Sequence, residues 1–219
     1  KADEPTYGFD KVIMLAGGVG YARRSDAQKG TPEPGEEVVL LGGDNYRIGM
    51  GGGAVSSVNT GQYAGAIELN AVQRSNPEMQ KRVENVIRTL SESEDNPIIS
   101  IHDHGAGGHL NCLSELVETT GGHFDLSAFP IGDETLSSKE IIGNESQERM
   151  GLLVKGDAVE RIARIAERER APMYVVGRTT DDMHLTFEEA GGDKPIDLAL
   201  SDMFGSAPKT YMVDKHIDK

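Results

Sequence analysis

The segment Ile99-Ser-Ile-His102-Asp103-His104-Gly105-Ala-Gly107-Gly108-His109 gathers one carboxylate and three imidazoles around a glycine-rich turn. Its apolar start reads as a buried strand and its continuation as a helix. The polar cluster therefore falls at a strand end that faces a helix N-terminus, where phosphate groups are favoured. Asp103 is a hard oxygen donor suited to Mg²⁺ beside phosphates. An aspartate here can equally cap the following turn. Gly105, Gly107 and Gly108 would form the loop nearest a phosphate. The three histidines raise zinc as a possibility, but strand alternation puts His102 and His104 opposite Asp103. No Cys or Glu is spaced to complete a tetrahedral site.

A second polar run, Asn144-Glu145-Ser146-Gln147-Glu148-Arg149, stands just ahead of an apolar strand. Such a run is commonly a solvated strand entrance. Amide, hydroxyl and carboxylate groups side by side would also suit a polyhydroxylated ligand. Val72-Gln73-Arg74 precedes a helix start and says nothing alone. Gly49-Met-Gly51-Gly-Gly53-Ala54 matches the dinucleotide pattern G-x-G-x-x-A in form only, because another glycine, Gly61, interrupts the helix that should follow. Two readings remain for it: a tight loop where backbone meets backbone, or a nest of N–H groups around an anion.

The elements that would position these groups follow from periodicity and turn chemistry. Up to residue 70, short strands alternate with glycine-rich turns, among them Lys11–Leu15, Glu37–Leu41 and an Ala64–Leu69 segment. Asn76 caps a helix with Pro77 at its first position. Met79, Val83, Val86, Ile87 and Leu90 share one face of it. Pro97–Ile101 reads as a strand, and Leu110, Leu113, Leu116 and Val117 mark a helix that Gly121-Gly122 ends. Ser137 and Glu140 form a capping box for a short helix. Met150–Val154 is a strand. Asp157-x-x-Glu160 caps the next helix, with Val159, Ile162, Ala163 and Ala166 inward. Met173–Val176 and His184–Phe187 are two more strands. The expected fold is α+β: a mixed sheet covered by helices, close to a split βαβ arrangement. Residues 1–70 would be a glycine-rich arm and 71–219 an α/β body of one domain.

Composition excludes several functions. Among 219 residues, 36 Asp and Glu outweigh 22 Lys and Arg, for a formal charge of −14. With no basic stripe, neither nucleic acid nor an anionic membrane surface is a fitting partner. No run of about 18 apolar residues could span a bilayer. The start, Lys1-Ala2-Asp3-Glu4, is no signal peptide. The lone Cys112 can form no internal disulfide, which points to a reducing cytoplasm.

Five ordered segments carry a resemblance: Met14-Leu-Ala-Gly-Gly18, Asn45-x-x-Ile48-Gly-x-Gly-Gly-Gly-Ala54, Val72-Gln-Arg-x-Asn-Pro-Glu-Met79, Ile101-His-Asp-x-Gly-Ala-Gly-Gly108 and Asn144-Glu-Ser-Gln-Glu-Arg149. Together, over about residues 9–212, they resemble the phosphoribosylformylglycinamidine synthases, which belong with the aminoimidazole ribonucleotide synthetase-like proteins. The match is to the first C-terminal-type domain of the long, single-chain enzymes.

That resemblance implies ATP-dependent C–N ligation in purine synthesis, with glutamine as the ammonia source and formylglycinamide ribonucleotide as the substrate. It assigns Mg²⁺ to Asp103, and substrate contacts to Gln73, Glu145, Ser146 and Gln147. It assigns no catalytic residue to this chain. ATP would be held mainly by an upstream domain and glutamine hydrolysed by a downstream one, so those domains are the expected partners. The chain is then expected to be a fragment, inactive in isolation. A scaffold domain without ligand contacts is the competing expectation.

Overall fold

The computed structural model describes residues 15, 17–51, 55, 58, 61–73, 76–205 and 208–211. The strand expected at Lys11–Leu15 lies outside these residues apart from Leu15, as do Gly52, Gly53 and Ala54 of the glycine run.

Seven strands form one sheet in the order β2-β4-β1-β5-β3-β6-β7. They are β1 (Glu37–Leu41), β2 (Ile98–Asp103), β3 (Gly122–Asp125), β4 (Met150–Val154), β5 (Met173–Thr179), β6 (His184–Glu188) and β7 (Ile196–Ala199). Every neighbouring pair is antiparallel except β3 and β6. This is an α+β fold with a mixed sheet and packed helices. The strand supplied by the first 70 residues, β1, lies inside the sheet between β4 and β5. Its Val38-Val-Leu-Leu41 run is buried throughout, as a strand covered on both faces must be.

Helices cover the two faces. On one, Val83, Val86 and Leu90 of α2 (Pro77–Ser91) and Ile162 and Ala166 of α5 (Val159–Glu169) pack on Val39, Leu41, Leu152 and Val154. On the other, Cys112, Leu113 and Leu116 of α3 (Gly108–Leu116) and Ile141 and Ile142 of α4 (Ser138–Gly143) meet Val38, Leu40 and Leu153. Alternate residues of one strand thus feed two cores, and each buried leucine contributes about 1.5–3 kcal/mol.

Several local expectations hold at atomic detail. The Asn76 side chain accepts from the Met79 N–H at 3.0 Å with Pro77 at the first helical position. Ser137 and Glu140 form both halves of the capping box. Others do not hold. Ala64–Leu69 contains a short helix, α1 (Gly65–Leu69), because Ala, Glu and Leu favour helix and the segment has no partner strand. Asp157 lies in a 3₁₀ turn (Gly156–Ala158) and does not cap α5, whose N-cap is Ala158. Ala163 faces solvent. Helix α3 ends at Leu116, before the glycine pair. No helix among the described residues is long and apolar enough to cross a membrane.

Candidate functional site

One end of the sheet collects nearly all the polar residues singled out above. Antiparallel pairing sets Met150 at the start of β4 opposite both Leu41 at the end of β1 and Asp103 at the end of β2. The loop after β1, the turn after β2 and the run before β4 therefore emerge together.

Gln73 joins them through backbone pairing. It forms a parallel bridge with Ser146, donating its N–H to the Glu145 carbonyl and accepting from the Gln147 N–H, each at 3.0 Å. Its side-chain amide donates to the Asp44 carbonyl at 3.1 Å and to Glu148 Oε2 at 3.4 Å. The other Glu148 oxygen accepts from the Asn76 N–H at 2.6 Å, tying the start of α2 to the same carboxylate. Gln73, Glu145 and Ser146 are buried, whereas Gln147 is exposed.

Two glycines let other backbones close on this run. Gly49 has φ +89°, and a Cβ there would stand 2.2 Å from the Glu145 carbonyl oxygen. Gly108, the first residue of α3 with φ +58°, would put a Cβ 2.4 Å from the Asn144 carbonyl oxygen. Backbone meets backbone at Gly49, which accounts for that glycine without a dinucleotide. Gly108 serves packing in the same way. Gly107 is the N-cap of α3, and the Gly108 N–H donates to the Gly105 carbonyl at 3.0 Å.

Behind the run lies a buried guanidinium. Arg149, 1% exposed, donates to the side-chain oxygens of Asn45 and Asn144 and, at 2.6 Å, to His109 Nε2. Asn144 in turn donates to the carbonyls of Tyr46 and Ile48. The other His109 nitrogen, Nδ1, is 2.8 Å from His104 Nε2. Burial, then the Arg149 charge, pushes His104 down to about 3, and burial likewise holds His109 well below its ordinary value. Burial also lowers Arg149 to about 10, against the pull of Glu148 and Asp44, so it remains a cation at neutral pH. In the sequence the histidines raise only a question about zinc, and Asn144, Glu148 and Arg149 stand in the polar run, and Asn45 in a motif, without individual roles. One signal was present: His109, Cys112, Leu113 and Leu116 share the inward face of α3.

Two buried atoms at this surface lack partners. Among the described residues, Gln73 Oε1 and Ser146 Oγ have no hydrogen bond. They belong to residues paired directly across the bridge. An unsatisfied buried polar group costs about 1–3 kcal/mol, so these two atoms are a cost to the unliganded fold, as are Ser100 Oγ, His104 Nδ1 and Arg149 Nε, which lack partners in the same way.

Asp103 is exposed at the end of β2. No backbone N–H among the described residues donates to its carboxylate, so the turn-capping role has no hydrogen bond behind it. No group of three His, Cys, Asp or Glu capable of caging a metal exists among the described residues. A single exposed carboxylate does fit Mg²⁺, which retains waters and takes further oxygens from substrate phosphates. His102 stands apart from the other imidazoles, between Lys29 Nζ at 2.8 Å and Glu115 Oε2 at 3.0 Å.

The fold has counterparts among known proteins. The family described as AIR synthase related protein, C-terminal domain, matches residues 33–189. Phosphoribosylformylglycinamidine synthase II from Thermotoga maritima superposes with a TM-score of 0.67 at 22% identity, over 87% of this chain and 29% of that one. T. maritima PurL complexed with FGAR gives 0.69 at 22% identity, over 87% and 31%. E. coli HypE, a hydrogenase maturation protein, gives 0.51 at 12%, over 78% and 52%. The present chain thus spans under a third of the length of the two T. maritima structures.

Proposed function

We infer, from the premise that this chain belongs to the AIR synthase related protein C-terminal domain family, that it is the ribonucleotide-binding part of a phosphoribosylformylglycinamidine synthase. In that reading the complete enzyme converts formylglycinamide ribonucleotide to its amidine using ATP and glutamine. Support comes from the T. maritima PurL structures complexed with FGAR, with ATP and with ADP. The resemblance of five ordered motifs adds to it.

The chain's own residues supply binding and orientation. Gln73 Oε1 accepts a hydroxyl or amide N–H of the ribonucleotide. Ser146 Oγ donates to, or accepts from, a neighbouring ligand atom, and Gln147 and Glu145 extend the same polar surface. Glu148 holds the Gln73 amide so that Oε1 faces the ligand and Nε2 faces the protein. Asp103 would hold Mg²⁺, and Gly105 and Gly107 would lie nearest the phosphate. When bound, the metal neutralises charge on phosphate oxygens. ATP and the glutaminase are assigned to other domains of the complete enzyme.

The observation that carries this reading is the pair of unpartnered buried atoms on Gln73 and Ser146. It leads to an unusual expectation for Ser146→Ala. Removing an unsatisfied hydroxyl should leave the unliganded fold equally stable or more stable, by up to about 1 kcal/mol. The same change should raise the KM for formylglycinamide ribonucleotide about tenfold in the complete enzyme. A scaffold role predicts the reverse pattern, with stability lost and KM unchanged. Melting temperature and KM, measured on one preparation, distinguish the two.

A further inference from the structure

Arg149 is a costly residue for its position. Among the described residues it is the largest fully buried side chain, yet no carboxylate there lies within salt-bridge distance of it. Its hydrogen-bond partners are neutral: two amide oxygens and an imidazole. Its Nε has none. A buried guanidinium with such partners is weaker for stability than an apolar side chain of like volume, so stability alone does not explain it. What it does, geometrically, is join two loops. Asn45 belongs to the loop after β1 and Asn144 to the run before β4, 99 residues further on (144 − 45).

The donor pattern continues behind it. Arg149 Nη1 and Asn45 Nδ2 both point at His109 Nε2, at 2.6 and 3.2 Å. Both can only donate, so Nε2 is the acceptor and the ring carries its hydrogen on Nδ1. That hydrogen is donated to His104 Nε2, 2.8 Å away, which leaves the His104 hydrogen on Nδ1. Each ring has one allowed tautomer. The His109 ring is further held edge-on by Phe129, with centroids 4.8 Å apart. Arg149 is thus clamped from the far side by a rigid acceptor and presents its fork to both asparagines.

We propose that Arg149, His109 and His104 form a positioning unit that fixes Asn144 and Asn45, and through them keeps Ser146 and Gln73 aligned for the ribonucleotide. The route is short. Asn144 immediately precedes the Glu145–Ser146 peptide that pairs with Gln73, and Asn45 follows Asp44, whose carbonyl accepts the Gln73 amide. None of the three touches the ligand. This proposal rests on the ribonucleotide reading above.

The test uses the complete enzyme and three substitutions of His109. His109→Leu fills the space but removes the acceptor. His109→Asn is polar and too short to reach Arg149. His109→Gln puts an amide oxygen close to the former Nε2. Leu and Asn should each raise the KM for formylglycinamide ribonucleotide about tenfold, the scale of one hydrogen bond to a charged group, with the KM for glutamine unchanged. Gln should restore KM to within about threefold. Ser146→Ala should cost less in the His109→Asn background than alone, because the alignment it depends on is already lost. If Ser146→Ala raises KM but the His109 variants do not, the positioning role is wrong and the binding site stands. Should Ser146→Ala leave KM unchanged, the site reading fails and the proposal fails with it. A purely structural His109 would lower the melting temperature in all three variants without separating the two KM values.

Discussion

Lowering the pH from 7 to 5 should destabilise this fold through imidazoles that it cannot protonate. His104 has an ordinary value of 6.5 and is pushed to about 3 in the fold, by burial first and the Arg149 charge second. A folded value below the unfolded one means the contribution is complete above pH 6.5. It declines as the unfolded chain takes up a proton that the fold refuses, and the loss continues until the pH reaches about 3. At about 1.36 kcal/mol per pH unit, the loss from His104 between pH 7 and 5 is about 2 kcal/mol. His109 is lowered by the same cause and acts in the same direction. The depressed carboxylates of Asp125, Asp133 and Glu140 contribute stability that is lost only at lower pH, so the window is separate. Urea unfolding followed by circular dichroism at pH 7, 6 and 5 measures the effect. The double variant His104→Gln/His109→Gln cancels the other histidines by comparison and should lose much less stability over the interval. Equal declines in both proteins would refute buried, neutral imidazoles at these positions.

Gly108→Ala should abolish ribonucleotide binding and cost at least about 1–2 kcal/mol from the left-handed backbone alone, since its Cβ would collide with the Asn144 carbonyl; a calorimetric titration beside a melting curve checks both. Asp103→Asn keeps the size and loses the charge, so in the complete enzyme amidine formation should slow on the order of 10²–10³ while the fold is unchanged. Unaltered amidine formation at saturating Mg²⁺ would remove the metal role of Asp103.

Much of the fold was legible because its signals are local. Helix α2 announces itself by Asn76, Pro77 and a 3.6-residue apolar period, and α4 by its capping box. The doubly buried β1 and β4 stand out as short apolar runs bounded by glycine or charge. The strands that escaped are those with weak local signals. β3 is four residues, Gly-His-Phe-Asp, of which only Phe124 is a strong strand former. β7 is a half-exposed edge that follows Lys194-Pro195. Ala163 was misplaced because alanine suits either face of a helix.

The site was legible in a different way. Residue types pointed to a polar surface at a strand end, but that Gln73 meets Ser146 depends on a bridge across 73 residues (146 − 73), which no spacing rule gives. The motif resemblance supplied those names. The Arg149 network was hidden for the same reason, two of its three side-chain partners lying 40 and 104 residues away. Arg149 also sits in a charged run that on residue type alone reads as solvated, yet its side chain is buried.

In the proposed function, Gln73 Oε1 and Ser146 Oγ are the atoms that meet the ribonucleotide. A crystal structure of the complete enzyme with formylglycinamide ribonucleotide bound tests it most directly. Ligand oxygen or nitrogen atoms are expected within about 3.2 Å of both Gln73 Oε1 and Ser146 Oγ. Ligand bound elsewhere, with those two atoms still unpartnered or bonded only to protein, would contradict it.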